Sequence, residues 1–240
     1  MATGVSTSEH ELVLRDGLLT VTGRLVDASN ATLLATASLN GIEITCIYKP
    51  IAGERPLWDF PEGSLAHREY AAYLLSRESG LNVVPLTLLR DGPFGDGMVQ
   101  LWVDINESID LMEFFPSNNP HLRKMALFDA IINNTDRKIG HLLPTEQGWV
   151  FGCDHGVTFH REDKLRTVLW QWAGQEFSSD EKELLGNLSN KLAGSFGEEL
   201  RLLITFEELA ALRFRLDRLM KTGIFPNPST EWPAVPWPPF

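Results

Sequence analysis

A handful of side chains in this sequence have the types and the spacing for phosphoryl transfer. Lys49 closes the apolar run "IEITCIYK", Glu69 lies in "SLAHREYAAYLLSRESG", Asp136 and His141 stand in "NNTDRKIGH", and Asp154 follows in "FGCDHG". Phosphoryl transfer asks for a cation on the phosphates, a metal ion on oxygen or nitrogen ligands, and a group that orients the nucleophile. Lys49 has the type for the first role, with Glu69 as a carboxylate to hold it. His141 and Asp154 have the types for the second, and Asp136 for the third. Each also has a plainer reading. A strand-end lysine and a helix glutamate are usually solvated charges. Asp136 in "NNTD" fits an Asx-turn, His141 a hydrogen-bonded loop histidine, and Asp154-His155-Gly156 a turn. A different grouping, His141, Asp154, His155 and His160, would make a mononuclear metal site for hydrolysis. Against it, adjacent residues such as Asp154 and His155 point to opposite sides of an extended strand.

The elements around these residues are legible. "LLTVTGRLV", "ATLLATASL" and "IEITCIYKP" read as three strands. "DASN" joins the first two and Asn40-Gly41, a hairpin signal, joins the last two. A helix follows, with Ser64 as candidate N-cap and Gly80 as its stop. The strands "NVVPLTLL" and "GMVQLWV" flank the turn "RDGPFGDG", whose glycines lie between strands and so form no dinucleotide fingerprint. After Val103 the texture turns helical in "SIDLMEFF" and "HLRKMALFDAIINN", interrupted by the short strands "HLLP" and "GWVFGCD". Ser178 with Glu181 and Thr205 with Glu208 fit capping boxes of two further helices. The expected organisation is a sheet-rich lobe over 1–103, a helical lobe over 104–224 and a proline-rich tail over 225–240. Residues 1–10, polar and small, are expected to fray. The tail, with six prolines, is expected to be an extended strap packed through Trp232, Trp237 and Phe240.

Composition narrows the partners. The net charge of -11 and pI near 5.0 argue against a nucleic-acid groove or an anionic membrane, which need clustered Lys and Arg. The two cysteines, Cys46 and Cys153, exclude a disulfide framework and read as reduced thiols. Neither a secretory leader nor a membrane-length apolar stretch is visible, so a cytoplasmic protein is expected. No P-loop motif occurs.

"TDRKIGH" followed by "CDHG" resembles the catalytic and metal loops of the phosphatidylinositol 3-/4-kinase-like branch of the protein-kinase superfamily. "GERPLWDFP", "RDGPFG", "NNTDRKIGHLLP" and "LRTVLWQWAG" resemble an actinobacterial family of uncharacterised proteins with that domain, over nearly the whole chain. The resemblance implies an α+β, two-lobed kinase-like fold: an antiparallel sheet with one helix, then a mainly helical lobe with a short catalytic hairpin. It implies Lys49 on the α- and β-phosphates of ATP, Glu69 as its partner, Asp136 as the base, and His141 with Asp154 on Mg²⁺ or Mn²⁺. His141 stands where kinases have asparagine and suits Mn²⁺ better. Arg137, beside the base, is a candidate to meet the transferred phosphate. Gln100, Leu101, Trp102 and Val103 take the place of the hinge whose backbone pairs with adenine. "DASNAT" takes the place of the loop over the phosphates, with Ser29, Asn30 and Thr32 as its polar contacts. Arg166 falls in the segment that positions substrate in kinases. The expected reaction is phosphoryl transfer to a hydroxyl of a small molecule or protein. The alternatives are a weakly active nucleotide-binding signalling module and the His/Asp metal hydrolase. A phosphoinositide headgroup fits poorly with an acidic surface.

Overall fold

The computed structural model describes residues 7–25 and 31–240. Ser29 and Asn30, and most of the loop expected over the phosphates, therefore lie outside the described residues. Helix α1 (Thr7–Asp16) precedes three strands, β1 (Leu18–Arg24), β2 (Leu33–Leu39) and β3 (Ile42–Pro50). Helix α2 (Leu65–Ser79) follows, then β4 (Thr87–Gly92) and β5 (Gly95–Leu101). The five strands form one antiparallel sheet in the order β1-β2-β3-β5-β4. Asn40 and Gly41 turn the β2–β3 hairpin at φ 51° and 82°, which is why those two residues stand there. Gly97 of β5 has no room for a side chain: a Cβ would lie 2.5 Å from the Lys49 carbonyl and 2.8 Å from the Tyr48 ring.

Two features depart from the sequence reading. Within the stretch expected to fray, residues 7–10 are helical: they open α1, which buries Val13 and Leu14 against the sheet, and Arg90 Nη1 donates to the Leu14 carbonyl at 2.6 Å. Two apolar residues suffice to seat this helix, too few to show as a periodic pattern. Ser64 stands at the N-cap position of α2 as expected, but its side chain makes no capping bond. The Glu54 carboxylate accepts from the amides of Leu65 (3.0 Å) and Ala66 (2.8 Å), putting negative charge at the helix N-terminus where the dipole favours it. Gly80 does stop the helix, at φ 77°.

The second half is α3 (Leu111–Phe114), α4 (Pro120–Ile132), β6 (Leu142–Pro144), β7 (Val150–Gly152), α5 (Ser179–Ala193), α6 (Ser195–Leu200) and α7 (Phe206–Thr222). β6 and β7 pair as a separate antiparallel hairpin. Both expected capping boxes are present: Ser178 and Thr205 accept from the amides of Glu181 and Glu208, whose side chains return the bond. The apolar cluster of this half, including Phe128, Leu185 and Leu212, also takes in Leu74 and Leu75 of α2. Each such side chain, fully buried, contributes about 1.5–3 kcal/mol. Helix α2 is further tied downward by Arg68, 1% exposed. Its Nη2 bonds Glu208 of α7 at 2.6 Å and its Nη1 the Thr158 carbonyl at 2.7 Å. The α+β, two-lobed architecture is the one expected, with β3, α2 and the β6–β7 hairpin converging at one cleft. No helix among the described residues is long and apolar enough to cross a membrane.

Candidate active site

Strand β3 delivers Lys49 into this cleft. Its Nζ lies 2.7 Å from Glu69 Oε1 and 2.8 Å from Asp154 Oδ1. Helix α2 supplies Glu69 with its side chain 2% exposed, and its second oxygen accepts from the His155 amide at 2.9 Å. Asp154 follows β7 at φ 60°, a left-handed conformation that aspartate tolerates and that turns the chain out of the hairpin. Its other oxygen, Oδ2, is 3.5 Å from His141 Nε2. Three elements distant in sequence thus form one row: Glu69, Lys49, Asp154, His141.

The charges of the row sustain one another. Burial opposes the Lys49 ammonium, but Asp154 and Glu69 hold it charged, above its usual range. Lys49 in turn holds the half-exposed Asp154 carboxyl well below the carboxylate range. Burial lowers His141 to about 4, so at neutral pH its imidazole is uncharged, the form that binds metal. His141 Nδ1 faces the Lys138 amide at 3.4 Å, which leaves Nε2 as the nitrogen directed at Asp154.

Asp136 stands in the connection from α4 to β6. Asn133 ends α4 in the left-handed conformation (φ 52°), and the Asn134 side chain accepts from the Asp136 amide at 2.9 Å, so the Asx-turn of "NNTD" is made by Asn134 and not by Asp136, for which it was expected. The turn presents the carboxyl; it does not compete with it. The side chain is one-third exposed, and burial of the remainder raises its pKa to about 6, against the pull of Lys138, whose Nζ is 3.8 Å away.

Arg137 is not where a transferred phosphate would lie. It is fully buried: Nε and Nη2 grip Asp129 at 3.0–3.2 Å, Nη1 donates to the Cys153 carbonyl at 3.0 Å, and Nη2 contacts His155 Nε2 at 2.7 Å. A guanidinium with five fixed donors is suited to bridging segments in this way. Asp129 also accepts from Asn134 Nδ2 (2.9 Å) and Thr167 Oγ1 (3.2 Å). This cluster fixes the Asp136 loop against the Asp154 loop. Asp129 and Asn134 belong to the site although the sequence reading passed over them. The available signal was an acid in the apolar face of "MALFDAII".

Other expected residues are placed as follows. Thr32 is buried, and its carbonyl accepts from the Leu25 amide at 3.0 Å. The Gln100 side chain is buried on Thr87 Oγ1 at 2.8 Å. The amides of Leu101 and Trp102 are taken by the carbonyls of Leu86 and Thr45. The amide of Val103, the last of the four, makes no hydrogen bond among the described residues. The His/Asp hydrolase grouping is not assembled: His155 is turned to Arg137, His160 packs edge-on against Phe60, and no group of three or more metal-binding side chains occurs among the described residues.

The tail is a strap, but it is held by its backbone. The Pro239 carbonyl accepts from the Ile139 amide at 2.8 Å, and the Ala234 carbonyl from Thr167 N and Trp170 Nε1. Trp237 and Phe240 stay largely exposed, while Trp232 lies beneath the Lys164 ammonium at 4.5 Å.

No family model matches the chain. Protein Rv2133c of Mycobacterium tuberculosis (strain ATCC 25618 / H37Rv) is 42% identical over 275 aligned positions, spanning 100% of this chain and 98% of that protein. Among solved structures, a Helicobacter pylori proinflammatory kinase, CtkA, superposes with a TM-score of 0.48 at 12% identity, over 88% of this chain and 94% of that one.

Proposed function

We propose that this chain, which belongs to the same family as the mycobacterial Protein Rv2133c, is an ATP-dependent phosphotransferase of kinase-like design. The observation that carries the reading is the shared lysine, with Nζ 2.7 Å from Glu69 and 2.8 Å from Asp154. A buried carboxylate on α2 that holds a strand lysine beside a half-open aspartate suits the receipt of phosphates. The phosphatidylinositol 3-/4-kinase-like character of the domain rests on "TDRKIGH" and "CDHG".

In this reading Lys49 exchanges Asp154 for the α- and β-phosphates while Glu69 keeps its ammonium in place. His141 Nε2 and Asp154 Oδ2, 3.5 Å apart, are close enough for one divalent ion to touch both. His141 and Asp154 would hold it together with phosphate oxygens and water, and it would neutralise charge on the phosphates. Asp136 takes the proton of the acceptor hydroxyl as its oxygen forms the new bond to the γ-phosphorus. The bond from that phosphorus to the bridging oxygen breaks, and ADP leaves with the electron pair.

ATP at about 100 times its dissociation constant would stabilise the fold by ~2.7 kcal/mol. For a chain of this length that raises the melting temperature by roughly 5–10 °C. Absence of a shift with either Mg²⁺ or Mn²⁺ sinks the nucleotide site. Binding without turnover of γ-labelled ATP favours the second reading, a weakly active nucleotide-binding module. That reading has in its favour that His141 stands at the asparagine position.

A further inference from the structure

His155 has no task in the transfer from ATP to a hydroxyl, yet its ring stands between the two networks of the site. The imidazole is fully buried, and Phe128 packs edge-on against it with 5.7 Å between ring centres. Its Nε2 lies 2.7 Å from Arg137 Nη2. A guanidinium carries donors only, so Nε2 is the accepting nitrogen and the ring proton sits on Nδ1. Arg137 thus selects the tautomer of His155. Arg137 is itself held by Asp129 and by backbone pairing, its amide donating to the Arg166 carbonyl at 3.1 Å and the Arg166 amide to the Asn134 carbonyl at 2.9 Å. The imidazole therefore hangs from the same frame that carries the Asp136 loop.

On its other side the ring meets Glu69. Nδ1 lies 3.9 Å from Glu69 Oε2, the oxygen that already accepts from the His155 amide at 2.9 Å. The ring donor stops about 1 Å short of a hydrogen bond and has no other partner among the described residues. Buried nitrogens of Arg166, Arg213 and Arg215 also lack partners, so an unmade bond alone singles out nothing. What sets Nδ1 apart is the group beside it, the carboxylate whose other oxygen holds Lys49 Nζ at 2.7 Å. Asp129, Arg137, His155, Glu69 and Lys49 form a chain from α4 to β3 in which one link, from Nδ1 to Oε2, is open.

We propose that His155 is a positioning residue for Lys49, and that its Nδ1–H closes onto Glu69 Oε2 when phosphates replace Asp154 at the ammonium. The proposal rests on the phosphotransferase reading above. Lys49 is at present shared between Glu69 and Asp154. Once phosphates take the place of Asp154, Glu69 is the carboxylate left on the ammonium, and its orientation decides where the lysine points. A buried donor is costly to leave unmade, and a shift of about 1 Å gives Nδ1 its acceptor. Through Arg137 the closed link sets the phosphate lysine and the Asp136 loop on one frame.

The test uses the full chain, labelled with ¹⁵N, and two probes, ATP with Mg²⁺ and inorganic tripolyphosphate with Mg²⁺. The imidazole signals of His155, assigned by their loss in His155→Gln, show which ring nitrogen carries the proton. At pH 7 it should be Nδ1; a proton on Nε2, or on both, overturns the proposal. Saturating either probe should move the Nδ1–H proton downfield, as a new hydrogen bond requires. If ATP binds by thermal shift and that proton stays where it was, the proposal falls and the phosphotransferase reading survives. If tripolyphosphate moves it while ATP does not bind, His155 keeps its role and the ATP reading falls alone. If neither probe binds, both fall. Two variants separate positioning from packing. His155→Leu removes both contacts, whereas the amide of His155→Gln can accept from Arg137 and donate to Glu69. ATP binding should weaken roughly tenfold in the first and stay within about threefold of wild type in the second. Equal losses in both, or none in either, overturn the proposal. Should His155→Leu fail to fold, the wild-type spectra decide.

Discussion

One loop, Asn133 to His141, has two sides that obey opposite rules. Inward, Asn134 and Arg137 are fully buried and have acceptors fixed at 2.9–3.2 Å on Asp129. Outward, Asp136 and His141 are partly exposed, loosely paired at 3.8 and 3.5 Å, and shifted in pKa by burial without being neutralised by a close partner. The inner side spends every polar atom on holding shape. The outer side leaves its carboxyl and imidazole loosely paired, at some cost in stability.

The largest effect should come from breaking the inner side. Arg137→Met leaves Asp129 buried without its cation, a loss of about 3–5 kcal/mol, read as a lower urea midpoint. Near-native stability would mean the two sides are not different in kind. On the outer side, Asp136→Asn should cut turnover of γ-labelled ATP by roughly 10²–10⁴. ATP binding, by thermal shift, should be unchanged; an unfolded variant would erase the comparison.

The same residue sharpens it with pH. Turnover should rise with pH through a midpoint of about 6 as Asp136 loses its proton, and His141, neutral above about 4, should add no break in that range. The stability effect has the opposite sign. A folded pKa above the unfolded value means the wild type loses stability as pH climbs from the ordinary carboxylate range through about 6. Asp136→Asn should therefore be the more stable protein at pH 7–8, by up to about 1 kcal/mol given its partial exposure, and equal near pH 4. Urea midpoints at both pH values check this. The smallest effect is expected from His141→Asn, which exchanges an imidazole for an oxygen donor. It should move the Mg²⁺ to Mn²⁺ activity ratio toward Mg²⁺ by about tenfold with little change in stability.

What was legible in the sequence follows the same division. Period, turn chemistry and capping are local, and Asn40-Gly41, Ser178 with Glu181 and Thr205 with Glu208 could be read directly. So could the order Lys49, Glu69, Asp136, His141, Asp154, all of which the fold brings to one cleft. Arg137 misled because an arginine beside a candidate base reads as a phosphate contact, and its burial depends on Asp129, eight residues back and pointing inward. The cap of α2 was invisible because Glu54 reaches it from eleven residues before Leu65. The strap was foreseen as packed through its aromatic rings, yet carbonyls hold it, and carbonyls carry no residue identity.

The pair formed by Arg68 and Glu208 sets what Glu69 is rooted in. Arg68 is the residue before Glu69, and the buried bond to α7, with Leu74 and Leu75 in the lower core, keys this stretch of α2 into the helical lobe, while Tyr70 and Tyr73 pack against the sheet core as well. The contact between Lys49 and Glu69 is therefore a rivet through the seam of the molecule, joining a sheet residue to a helix anchored in the other half.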